Sequence, residues 1–80
     1  MPKDDQALAS NLARRLADAR SSLEKEMAAA GLHAKDGWRI AEEVKHTVQG
    51  TDFIFTPIHM KLARPELERR VSIDHEGQPV

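Results

Sequence analysis

The period of the apolar residues changes near Gly31. Before it, Leu8, Leu12, Leu16, Leu23 and Met27 fall within an arc of about 100° when wound at 100° per residue, and Ala19 and Ala30 lie in the same stripe. From Trp38 onward, large apolar residues largely alternate with polar ones, the spacing of a half-buried strand. A helical period followed by a period of two restricts the chain to one long amphipathic helix and then a small sheet.

The helix is expected over residues 4–30. Asp4 or Asp5 suits its N-cap, and their charge suits the positive end of the helix dipole. Arg14 with Asp18 and Arg20 with Glu24 stand at i,i+4 on the polar side. Gly31 follows as the natural stop, because it tolerates the left-handed turn that ends a helix. Such a helix is about 40 Å long, more than a compact domain of this size spans. Part of its apolar stripe is therefore expected to overhang.

Residues 38–75 read as a three-stranded antiparallel meander. Trp38, Ile40, Val44, His46 and Val48 alternate with Arg39, Glu43, Lys45, Thr47 and Gln49. A helix is the rival reading of this stretch, since Ile40, Ala41, Val44 and Val48 also fit helical spacing. Strand is favoured by the length of the alternation, by the hairpin signal Gln49-Gly50, and by the strand formers from Thr51 to Thr56. The second strand is expected from Thr51 to Leu62. A bulge at Pro57 would put Phe53 and Phe55 on one face with Ile58, Met60 and Leu62. A turn at Ala63-Arg64-Pro65-Glu66 leads to a third strand, Leu67 to Asp74, with an open outer edge. Residues 76–80 read as a polar tail. The fold class is α+β in the order α-β-β-β, with residues 1–80 as one small domain.

A chain of 80 residues buries only a modest core, and without cysteine it has neither disulfides nor thiolate metal sites. A second subunit is the remaining support for so small a domain. Twelve Lys plus Arg against 13 Asp plus Glu give a net charge of -1, which argues against nonspecific attraction to nucleic acid or anionic membrane. No apolar run follows Met1-Pro2-Lys3-Asp4-Asp5, and none approaches the ~20 residues of a membrane span. The expectation is a cytoplasmic protein without a membrane partner.

No motif for chemistry stands out. His33, His46, His59 and His75 form neither an i,i+4 pair nor a zinc-binding spacing, and Asp74-His75-Glu76, beside Gly77, fits a solvated tail better than a ligand set. Glu42, between Ile40 and Val44, would serve as an acid or base only if buried. No nucleophile context and no glycine-rich phosphate loop is present. The reading is a non-enzymatic chain with no cofactor and no metal: a small protein-binding module, a regulator, adaptor or inhibitor of a larger assembly, and a homodimer. Leu8, Leu12 and Leu16 are assigned to self-association. Lys61, Arg64, Arg69 and Arg70 are assigned to the partner. The runner-up is a nucleic-acid-binding regulator using the basic region 61–70, and a third reading is a small-molecule site around Trp38.

Overall fold

The computed structural model describes the backbone from Pro2 to Val80 and the side chains from Ser10 onward. Leu8 and the cap expected at Asp4 or Asp5 lie outside the described side chains. One helix, α1 (Pro2–Ala29), precedes four strands: β1 (Arg39–His46), β2 (Gly50–His59), β3 (Leu62–Ala63) and β4 (Arg69–Asp74). The architecture is α+β, and the ambiguous stretch after Trp38 is strand. At 28 residues α1 is about 42 Å long, which matches the long axis of a molecule measuring 46 × 24 × 16 Å.

The helix ends as its sequence dictates. The Leu32 amide donates to the Met27 carbonyl at 2.8 Å, and the Gly31 amide donates to the Ala28 carbonyl at 3.2 Å. Gly31 sits at φ 78°. These two bonds make a Schellman motif, and its usual apolar contact is present, since Leu32 and Met27 share the core. A Cβ at Gly31 would meet nothing within 4 Å, so only the backbone conformation resists substitution. Gly31→Ala is expected to cost about 1 kcal/mol, measured as a lowered urea midpoint.

The sheet is built around β2. It pairs with β1 along one side, Arg39↔Ile58 through His46↔Thr51, and with β3 and then β4 along the other. The hairpin loop is Val48-Gln49. Thr47 and Gly50 exchange backbone bonds of 2.8 and 3.3 Å, and the Thr47 hydroxyl accepts from the Gln49 and Gly50 amides. The loop is thus one residue earlier than Gln49-Gly50, because the Thr47 hydroxyl caps it and Gly50 already belongs to β2.

Two expectations about the sheet are corrected. The first is the bulge at Pro57. The β1–β2 register runs unbroken past Ile40↔Pro57. Hydrogen-bonded pairs alternate from Thr47↔Gly50, so Pro57 occupies a non-bonded position towards β1, and its missing donor falls on the opposite side. There the Arg64 amide donates to the Pro57 carbonyl at 3.0 Å. The Arg64 carbonyl, which would have accepted from residue 57, accepts from Leu67 at 3.0 Å instead. The irregularity lies in the neighbouring strand, which leaves the sheet as a 3-10 turn at Pro65–Leu67 and is split into β3 and β4. The expected turn moves to Met60-Lys61, with Met60 at φ 54°. With no bulge in β2, Ile58 faces away from the helix and His59 faces Trp38, their rings 5.2 Å apart.

The segment expected as a polar tail, residues 76–80, is mostly exposed and contains a turn. Asp74 accepts from the Glu76 and Gln78 amides at 2.9 and 2.8 Å, and the chain turns back to bridge Ile73 with Pro79. The second correction follows from this turn: the outer side of β4 is partly covered, and the long open edge is β1.

The helix packs on the face carrying Ile40, Phe55 and Val71. Leu23, Met27, Leu32 and Phe55 form the buried cluster, with Leu16, Ala19, Trp38, Ile40 and Leu67 around it. Ile54 is also buried but faces the other way, between the cross-strand neighbours Glu43 and Arg70. Two ion pairs flank the helix, Arg20 to Glu42 of β1 and Glu26 to Arg69 of β4. Each adds less than about 1 kcal/mol, so the helix is placed mainly by the packing of Leu23 and Met27 with Phe55, and the pairs accompany that packing.

Candidate interaction surface

The helix stripe outruns the core. The cluster reaches back to Leu16, while Leu12, one turn earlier, is half-buried and lies outside it. Between this part of α1 and the β1 edge opens a groove of about 300 Å³, walled by Leu16, Ala17, Arg20, Val44 and Phe53. Val44 is 52% exposed, although its alternation had placed it in the core. The sheet is wider than one helix can cover, and Val44 falls on the uncovered part.

The open edge of β1 borders the same groove. Thr47 bonds to Gly50, so Lys45, Glu43, Ala41 and Arg39 also direct their backbone groups to β2. The N–H and C=O groups of Ile40, Glu42, Val44 and His46 therefore point outward. Among the described residues no strand pairs with them.

The four cations assigned to a partner are not gathered on one face. Lys61 is exposed at the Met60-Lys61 turn. Arg64 donates to Glu66 at 2.6 Å, and this bond holds the Glu66 carboxyl below its usual range. Arg69 points to the helix and pairs with Glu26, while Arg70 points to the other face, 3.7 Å from Asp52 and 3.5 Å from Glu68. Arg69 and Arg70 are sequence neighbours on a strand, and such neighbours face opposite ways.

Most of the residues weighed for chemistry have structural partners. Glu42 is exposed and pairs with Arg20. The Asp74 carboxylate is occupied by its own turn, and His75 lies 2.7 Å from the Val48 carbonyl through Nε2. His59 Nε2 contacts the Asp36 carbonyl at 2.8 Å. Among the described residues no group of three His, Asp or Glu side chains is placed to hold a metal ion. A second hollow, of about 450 Å³, lies beside Trp38, Leu32, Met27 and His33. Among the described residues no helix is long and apolar enough to cross a membrane.

The groove and the β1 edge escaped the sequence reading. Their signal was the order of the strands: in a meander whose second strand is central, the first is an edge. No family model, curated protein or solved structure matches this chain.

Proposed function

We propose that the chain is a small non-catalytic protein-binding module that works as a homodimer, as a regulator, adaptor or inhibitor of a larger assembly. The observation that carries this reading is the open apolar groove of Leu16, Val44 and Phe53 beside an unpaired strand edge. Contiguous apolar surface and free edge groups are both features that partners cover. The ion pairs of Arg64, Arg69 and Arg70 weigh against the basic region as a phosphate-binding surface, since each pair must be broken before the cation can serve a phosphate.

The experiment is a tagged pull-down from the source lysate with and without nuclease, using wild type and Leu12→Glu. A protein retained after nuclease and lost with Leu12→Glu is the expected result. Material recovered only without nuclease would overturn the reading and favour the nucleic-acid alternative, and recovery of the bait alone would overturn its larger-assembly part and move the weight to self-association.

A further inference from the structure

We infer that β1 is a self-pairing edge: two copies join antiparallel through β1, in a register centred on Val44, into one continuous sheet. The inference rests on the homodimer reading above and names its surface.

The first observation is the direction of the edge groups. Val44, Glu42 and His46 all present their N–H and C=O outward. A two-fold axis at Val44 makes Val44↔Val44 a hydrogen-bonded pair, flanked on each side by Glu42 of one copy against His46 of the other. Every outward group of these three residues is then satisfied.

The second observation is charge. Directly opposite residues share a face, and like charges there are unfavourable. A two-fold centred on Glu42 or on Glu43 sets that carboxylate against its own copy, and one on Lys45 does the same with ammonium groups. A centre at Ala41 pairs Arg39 with Glu43 but sets Glu42 against Ile40 and leaves both Val44 side chains outside the seam. The Val44 centre sets Glu43 against Lys45, Glu42 against His46 and Val44 against itself, so every pair is compatible. Centres at Ile40 or His46 meet no like charges but engage only one end of β1, so strand length and the charges that usually protect an edge act together as a filter on register.

The third observation is the groove. Matching faces across the seam put both helices on the same side of the joined sheet, and the two grooves meet at the axis. The half-exposed Val44 is covered by its own copy, with Leu16 and Phe53 behind it. Self-association thereby passes from the helix stripe to β1, and Leu16 becomes a wall of a shared trough.

The chain has no cysteine, so introduced ones report cleanly. At the centre of the seam two Cα atoms stand about 5.5 Å apart, within disulfide range. Val44→Cys is expected to form a disulfide-linked dimer under mild oxidation, with Ala41→Cys remaining largely uncrosslinked. Val44→Lys, followed by sedimentation equilibrium, is expected to weaken self-association by at least about tenfold. Crosslinking through Ala41→Cys in preference to Val44→Cys would overturn the register. A dimer that survives Val44→Lys but separates in Leu12→Glu would overturn the seam and leave the homodimer reading standing. A wild-type chain that is monomeric at every concentration would overturn both.

Discussion

Gly50→Ala is expected to destabilise the domain by about 3 kcal/mol, out of a total of about 4–12 for a chain of this length. Gly50 is buried where β2 starts beside the end of β4, paired with Asp74. A Cβ there would stand 1.9 Å from the Ile73 carbonyl oxygen and 2.7 Å from the Asp74 Cα. Both are backbone atoms, so no change of rotamer relieves the overlap. The two strands must part at Gly50↔Asp74 and Thr51↔Ile73, which also disturbs the turn that Asp74 holds. Urea unfolding followed by the fluorescence of Trp38, the only tryptophan, measures the loss. Gln49→Ala, one residue away and exposed, is the control and should change stability by less than about 0.5 kcal/mol. An equally small effect of Gly50→Ala would contradict the close approach of β2 and β4.

Leu23→Ala is expected to cost about 3 kcal/mol. Leu23 is 0% exposed and packs with Met27, Leu32 and Phe55. Truncating it removes apolar contact and leaves a cavity between helix and sheet, and the rigid helix cannot close the space. Leu12→Ala belongs to the same stripe but lies outside the cluster, and is expected to cost less than about 1 kcal/mol. The contrast, read from the same urea curves, separates the part of the stripe that holds the fold from the part that is free to meet a partner. Similar losses at Leu12 and Leu23 would mean that the stripe is uniformly core.

What was legible in the chain was local. The helical period from Leu12 to Met27 and the alternation after Trp38 reflect the geometry of successive residues, and both elements formed where those periods lie. Gly31 stops the helix for a reason confined to its own φ. Pro57 was harder. Its missing donor is a local fact, but whether that breaks a ladder depends on which neighbour lies on which side. The answer came from Arg64 and Leu67, several residues later. The turn inside the tail was not legible for a similar reason, since the two bonds that Asp74 accepts become worthwhile only once Ile73 has a strand to extend.

The candidate surface divides in the same way. Leu12 and Leu16 stood out in the sequence because they share a stripe with Leu23. Val44 followed its alternation to the correct face, yet that face is wider than the helix, and the seating of α1 on the cluster around Phe55 left Val44 in the open. Arg69 and Arg70 looked like a patch because they are adjacent in sequence, but a strand sends them to opposite faces. The sequence by itself determined the elements and their apolar faces, because φ, ψ and side-chain direction repeat from one residue to the next. The tertiary structure alone decided which edge stays unpaired, which apolar residues stay uncovered and which cations are neutralised. Those depend on groups that meet across long stretches of chain, where no local period reaches.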